Sequence, residues 1–240
     1  IFEKQNMTIS YTGKEEAPEF MKAEVESFIE GLYEDQKQGE KVKVTCTKSN
    51  EGFATAGGGV QYVACAGNFK DAGLEYTGAL KVLQMIFSYE YLWIQIRVKG
   101  GAYGCMCSFS DQGDSMFVTY RDPNLSESYK VYDEAADYVA DFDADDRDMK
   151  KYIIGTIGSM DMPMEAVDMG ARSFHAYFLG KTEADLQKVR DQVLSCTQED
   201  IRALAPIVKA VVEAGNRCCI GNEEKIDQNK EYFDEVKHVL

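Results

Sequence analysis

Apolar and polar residues alternate in several short segments of the first half of the chain, whereas apolar residues recur at helical spacing through most of the second half. Alternation predicts half-buried strands, and recurrence every three or four residues predicts amphipathic helices. Strands are therefore predicted within residues 7–13, 41–47, 51–69, 103–122 and 217–221. Helices are predicted within residues 18–33 and 77–100, in several segments after Pro123, and in the polar C-terminal stretch.

This order of elements indicates an α+β fold in which helices cover an antiparallel-rich sheet. At 45% hydrophobic residues, the chain of 240 residues has enough apolar side chains for a substantial core. No linker rich in Pro, Gly or Ser is long enough to divide it. Residues 1–240 are therefore predicted to form a single domain.

The segment RVKGGAYGCMCSF, residues 97–109, joins the longest apolar helix to a predicted strand. Gly100 is expected to end that helix at its C′ position. Arg97 has two interpretations: a cation that is favourable at a helix C-terminus, or a ligand-binding group. Tyr103 likewise either buries its ring in the core or presents its phenol to a site. The residues alone leave both alternatives open.

The formal net charge is −15, with 41 acidic and 26 basic residues, and the basic residues are scattered. An acidic surface repels phosphate backbones, which argues against nucleic-acid binding. No apolar run reaches the length of a membrane span, and residues 1–25 do not look like a secretory signal. The seven cysteines include no CxxC pair and indicate reduced thiols, so a cytoplasmic location is expected. Because the chain begins at Ile1, it is interpreted as a fragment or a processed form.

The motifs typical of catalytic or metal sites are missing from the sequence. The acidic segment 141–148 fails the EF-hand pattern at its sixth and twelfth positions and is interpreted as a helix junction and cap. The glycines of residues 57–59 lack the lysine of a phosphate-binding loop. His175 and His238 have no partner at metal-helix spacing, and neither HExxH nor HxxEH occurs. No metal site is therefore expected in this chain, and it does not look like a complete catalyst.

Residues 75–104 together with 108–125 resemble the C-terminal part of the presequence proteases. This is a branch of the inverted-motif zinc peptidases, or insulinase-like (pitrilysin) family. Residues 51–69 and the segment ISYTG near the start also fit, and the likeness is strongest over about residues 52–132. The resemblance implies a module of the LuxS/mitochondrial processing peptidase-like metallohydrolase fold.

The resemblance further implies a large enzyme of four similar modules, in which two halves close around an unstructured peptide substrate. Zn2+ would be held by HxxEH in the N-terminal catalytic half of the same polypeptide. This chain looks like the last module and is expected to be inactive alone. In the presequence proteases an R-x5-Y segment reaches the substrate near the metal. Arg97 and Tyr103 match that pattern.

On this resemblance Tyr103 is expected to donate a hydrogen bond to the oxyanion that forms on the scissile carbonyl. Arg97 is expected to bind substrate backbone carbonyls, and Gly100 and Gly101 to let the substrate approach closely. Two alternatives remain: a scaffolding or dimerisation module of an insulinase-like protein, and an unrelated acidic binding domain.

Overall fold

A computed structural model describes residues 3–14, 16, 18–33 and 48–239. The chain divides into two compact units. The first comprises Ile1–Cys46 and Met162–Leu186, and the second comprises Thr47–Asp161 and Gln187–Leu240. None of the helices in the described ranges is long and apolar enough to cross a membrane.

The first unit contains helices α1 (Glu19–Glu30) and α6 (Ala166–Phe178), and neither helix has a buried residue. Pro18 lies at the N-cap of α1, as the sequence predicted. The strand predicted at residues 7–13 is wrong: residues 7–12 form neither helix nor strand. Alternation alone does not make a strand where no partner strand pairs with it. The strand predicted at 41–47 lies outside the described residues.

The second unit contains one six-stranded sheet in the order β3-β4-β2-β5-β1-β6. The strands are β1 (Glu51–Thr55), β2 (Gln61–Asn68), β3 (Gly104–Phe109), β4 (Asp114–Tyr120), β5 (Asn216–Asn222) and β6 (Glu235–Val239). Strand β1 runs parallel to β5 and β6, and the other pairs are antiparallel. The predicted sheet covered by helices is confirmed, although the sheet is mixed.

The C-terminal stretch corrects another prediction. Within residues 223–239 the α-helix is limited to α10 (Glu223–Gln228), a short 3-10 turn follows at Lys230–Tyr232, and β6 then forms an edge strand. Strand β6 is partly exposed on both faces, so its sequence lacks the alternation that identifies a half-buried strand.

The remaining helices belong wholly or mainly to the second unit. They are α2 (Ala79–Ile86), α3 (Ser126–Asp133), α4 (Ala135–Ala140), α5 (Asp146–Met160), α7 (Glu183–Leu194), α8 (Gln198–Arg202) and α9 (Ala205–Glu213). Two π-helical turns, Phe87–Tyr91 and Trp93–Lys99, extend α2. The acidic segment acts as a helix cap, as predicted, because the Asp145 carboxylate accepts hydrogen bonds from the first backbone N–H groups of α5.

The two faces of the sheet have different environments. One face packs against α3, α9, α10 and the extended α2 helix, and its side chains are buried, with Val63, Phe117 and Cys219 fully so. The other is partly exposed to solvent and largely apolar, and we call it the open face. Its residues include Phe53, Tyr62, Ala64, Met106, Met116, Val118, Tyr120, Cys218 and Ile220. Alternation along the strands places every second residue on this face.

Gly67 allows α9 to approach β2 closely. A Cβ atom at Gly67 would lie 2.5 Å from the Val211 carbonyl oxygen and 2.7 Å from the Ala214 Cβ. We expect Gly67→Ala to lower the free energy of unfolding by about 1–3 kcal/mol, because the helix has to move away from the sheet. Urea denaturation measures this change. Gly59→Ala is the matched control, since a Cβ there meets nothing within 4 Å. An equal effect of both substitutions would contradict this packing.

The thiols of Cys218 and Cys219 test the difference between the two faces. Cys218 is exposed on the open face, whereas Cys219 is buried with Cys65 and Cys107. Partial burial, and then the Glu51 carboxylate, raise the pKa of Cys218. The reactive thiolate is therefore a minority at neutral pH, and its fraction grows about tenfold per pH unit below the pKa.

We expect iodoacetamide to alkylate Cys218 before the buried thiols of Cys65, Cys107, Cys196 and Cys219, and faster as the pH rises. Peptide mapping by mass spectrometry measures the order of modification, and Cys218→Ser provides the control. Modification of Cys219 at the same rate as Cys218 would show that the face assignment is wrong.

Candidate functional site

The end of the long central helix is fixed by backbone hydrogen bonds and by two glycines. The Gly100 N–H donates to the Gln95 carbonyl, the Gly101 N–H to Arg97 and the Ala102 N–H to Ile96. Gly101 has a φ of 81°, in the left-handed region that favours glycine, so the C′ residue is Gly101 and not Gly100 as predicted. A Cβ at Gly100 would lie 2.5 Å from the Ile96 carbonyl oxygen. The backbone geometry of the turn therefore explains the glycine at both positions, independently of any substrate.

Arg97 lies in the last turn of this helix and is half-buried. Its guanidinium donates a hydrogen bond to the backbone carbonyl of Tyr103. Its Cζ lies 4.6 Å from the Trp93 ring centroid and 5.6 Å from that of Tyr103. The guanidinium is thus held by one hydrogen bond and two aromatic rings, with most of its N–H donors still available.

Tyr103 immediately precedes β3, and its backbone N–H is shared between the carbonyls of Tyr120 and Arg121. Its side chain is 66% exposed, so the alternative that buried this ring in the core is wrong. The ring meets that of Tyr120 edge-on, with centroids 5.7 Å apart, and Tyr120 meets Tyr62 in the same way at 5.4 Å. The structure therefore brings Arg97 and Tyr103 together beside the aromatic residues of the open face.

Asp122 ties the end of β4 to this corner of the sheet. Its carboxylate is fully buried and accepts hydrogen bonds from the Ser128 hydroxyl (2.6 Å) and the Asn124 backbone N–H (2.9 Å). Burial raises the pKa of Asp122, and these hydrogen bonds oppose that rise. The Asn124 side chain also donates to the Gly100 carbonyl at 2.6 Å. The loop after β4 is therefore bonded directly to the glycine turn.

Sequence reasoning missed the aromatic surroundings of the two predicted residues. Trp93 stands four positions before Arg97, a spacing that brings side chains together on a helix. That spacing could have identified Trp93 as a neighbour of Arg97 from the sequence. Tyr120 lies far from Tyr103 in sequence, and only the antiparallel pairing of β3 with β4 brings them together.

The described residues contain no group of three or more His, Cys, Asp or Glu side chains that could hold a metal ion. His175 and His238 are both exposed, and His238 Nδ1 lies 3.0 Å from a Glu223 carboxylate oxygen. Burial raises the pKa of the Cys65 and Cys105 thiols to about 11, although Arg97 partly offsets the rise at Cys105. These two thiols are thus poor nucleophiles at neutral pH.

Solved structures support the fold. The inactive domain of an M16 peptidase from Pseudomonas fluorescens has a TM-score of 0.55 over 83% of this chain and 50% of that chain, at 14% identity. A conserved protein from Enterococcus faecalis gives a TM-score of 0.57 over 86% of this chain and 50% of that chain, at 13% identity. These likenesses confirm the predicted fold.

Sequence comparison identifies the family. The protein HypA of Clostridium perfringens is 42% identical over the whole chain, which spans 25% of HypA. Presequence protease 1 of Arabidopsis thaliana, described as chloroplastic/mitochondrial, is 34% identical over 75% of the chain and 17% of its own length. The chain thus spans about a quarter or less of these relatives. The family model described as the PreP C-terminal domain matches residues 50–222. The chain therefore belongs to the PreP C-terminal domain family, as the resemblance predicted.

Proposed function

We propose that this chain is the substrate-binding C-terminal module of a zinc-dependent peptidase that degrades peptides or unfolded segments inside a closed chamber of two halves. One observation carries the proposal beyond family membership. The exposed Tyr103 phenol and the Arg97 guanidinium are held side by side, next to the apolar open face of the sheet. That arrangement joins a hydrogen-bond donor, a permanent cation and an apolar surface at one place.

We propose that the chain is one part of a longer polypeptide, because it spans only 25% of HypA. The N-terminal catalytic half of that polypeptide is the proposed partner of this module, and Zn2+ would bind in that half. The described residues of this chain offer no cluster that fits the metal. The roles proposed for Arg97 and Tyr103 are accordingly directed at the peptide.

Tyr103 suits the role of an oxyanion donor. Its hydroxyl forms no hydrogen bond with any described residue, so the O–H is available to a substrate carbonyl. A neutral phenol stabilises negative charge on that oxygen without neutralising a nearby base, and one such donor typically contributes about 3–4 kcal/mol to transition-state stabilisation. The edge-on contact with Tyr120 orients the ring before substrate binds.

Arg97 suits the role of a backbone anchor. A guanidinium is always charged, and its fork of N–H groups can donate to two carbonyl oxygens of an extended peptide. Such contacts hold a peptide regardless of its side chains. The contact with the Trp93 ring restrains the guanidinium, so less side-chain entropy is lost when the peptide binds.

The open face supplies a surface for apolar side chains of an unfolded segment. Met106 is 55% exposed, Met116 48% and Ile220 43%. Methionine side chains adapt to varied partners, which suits a degrader of varied peptides. We propose that Gly100 and Gly101 lie close to the bound peptide as well, in addition to their structural role.

A cytoplasmic location is part of the proposal. It is supported by the six described cysteines, which are all free thiols, as is usual in a reducing compartment. Purification from separated cell fractions would test it.

The full-length polypeptide provides the test of catalysis. We expect Tyr103→Phe to lower kcat at least about tenfold, roughly 1.4 kcal/mol, because the lost hydrogen bond forms only in the transition state. We expect Arg97→Ala to lower kcat/KM by a similar factor mainly through a higher KM, because a backbone anchor binds the ground state too. Steady-state cleavage of an unstructured fluorogenic peptide measures both constants.

Tyr177→Phe and Arg147→Ala are matched controls, since Tyr177 is 71% exposed on α6 and Arg147 is exposed on α5. Thermal unfolding verifies that each variant folds. Wild-type kinetics in both the Tyr103 and Arg97 variants would contradict the catalytic role and favour the alternative of a scaffolding or dimerisation module. A full-length protein without any peptidase activity would overturn the proposed function itself.

A further inference from the structure

Strand β4 ends in a β-bulge whose extra residue is Arg121. Regular pairing matches Ala64 with Val118, and its continuation would place Gln61 opposite Arg121. Instead Gln61 pairs with Asp122, through hydrogen bonds of 2.7 and 2.8 Å between their backbone groups. One residue of β2 thus faces two residues at the end of β4. Bulges of this kind redirect side chains and are frequent next to active sites.

Arg121 also has an unfavourable backbone conformation. Its φ of 49° makes it the one non-glycine residue with a positive φ in the described part of the chain. Left-handed positions favour glycine, asparagine and aspartate, and an arginine there raises the energy of the fold. The buried Asp122 carboxylate and its bonds to Ser128 and Asn124 hold the loop in this shape.

The bulge changes the face of the sheet on which the Arg121 side chain lies. Thr119 is buried and Tyr120 is partly exposed, so regular alternation would direct position 121 into the core. With the bulge, Asp122 occupies the buried position and Arg121 remains exposed. The Arg121 Cζ lies 5.9 Å from the Tyr120 ring centroid. The Arg121 guanidinium therefore lies beside the aromatic residues of the open face.

Two guanidinium groups consequently flank one pair of tyrosines. Arg97 contacts the ring of Tyr103, Tyr103 meets Tyr120 edge-on, and Arg121 contacts the ring of Tyr120. Neither arginine forms an ion pair with a described carboxylate, although the chain has 41 acidic residues. Both cations are therefore available to a ligand, and the planar fork of a guanidinium matches a carboxylate.

We propose that Arg121 is a specificity-determining residue that binds a carboxylate of the peptide substrate, beside the Arg97–Tyr103 pair. The site then prefers peptides that carry Asp or Glu near the bound segment. This inference rests on the proposed function, because it assumes that a peptide lies along the open face. A carboxylate could come from an acidic side chain or from the peptide C-terminus, and the experiment separates these sources.

Peptide binding to the full-length polypeptide in EDTA tests the inference without cleavage. The probes are fluorescein-labelled, unstructured peptides that carry one Glu at successive positions, matched peptides with Gln, and each with a free or an amidated C-terminus. Fluorescence anisotropy gives Kd. We expect the best Glu peptide to bind about fivefold tighter than its Gln match, roughly 1 kcal/mol for an exposed ion pair, and less so at high salt.

Arg121→Gln is expected to remove this preference, and Arg121→Lys to keep part of it through the remaining charge. Arg121→Gly removes the guanidinium but suits the left-handed backbone, so it should lose the preference while Tm stays unchanged or rises. Arg147→Gln is the control for an exposed arginine elsewhere and should behave as wild type. A preference that follows the free C-terminus, and not Glu, would assign the site to terminal carboxylates.

Equal Kd values for all peptides with the wild type, or a preference that survives Arg121→Gln, would overturn the inference. Different outcomes would overturn the proposed function. If the polypeptide in zinc cleaves peptides and depends on Tyr103, but Arg121→Gln keeps the wild-type preference, only the role of Arg121 is wrong. If no peptide is cleaved but the preference for Glu disappears in Arg121→Gln, the site binds acidic peptides without the proposed catalysis.

Discussion

The hydrogen bonds that close the turn between the long central helix and β3 constrain the whole corner of the sheet. A helix C-terminus leaves its last carbonyl groups without intrahelical partners. Here the carbonyls of Gln95, Ile96 and Arg97 accept from the N–H groups of Gly100, Ala102 and Gly101. The Arg97 guanidinium then bonds to the Tyr103 carbonyl. These hydrogen bonds fix the backbone between Arg97 and Tyr103, and so they set the directions in which the two partly exposed side chains leave it.

Aromatic rings extend this order across the sheet. From Trp93 through Arg97, Tyr103 and Tyr120 to Tyr62, each group contacts the next, at separations of 4.6 to 5.7 Å. Aromatic side chains have few rotatable bonds, so ordering them costs little conformational entropy. A flexible lysine in place of Arg97 would lose the stacking and the planar fork. The corner is thus organised before any ligand arrives.

The sequence was sufficient where one element determines its own geometry. The apolar helix, its end at the glycine pair, the hairpin of β3 and β4, and strand β5 follow from local patterns. Arg97 and Tyr103 were singled out as a site only through the family resemblance. Three features depend on pairing between distant segments and were missed. Residues 7–12 alternate without a partner strand, β6 pairs with β1 without alternating, and the bulge at Arg121 arises from a register shift against β2. The family resemblance supplied the peptidase context, which no local pattern contained.

Three unfavourable features lie together at one corner of the sheet. Arg121 has a left-handed backbone, Asp122 buries a carboxylate whose pKa is raised by that burial, and a large part of the Tyr103 side chain faces solvent. Stability alone would favour a regular strand end, asparagine or glycine at position 121, and an apolar residue at 122. Strain persists where the surrounding structure determines it, and it clusters at functional sites. The same buried carboxylate that costs stability keeps Arg121 on the open face. The destabilising residues of the corner therefore act together to present two cations and a phenol on one surface.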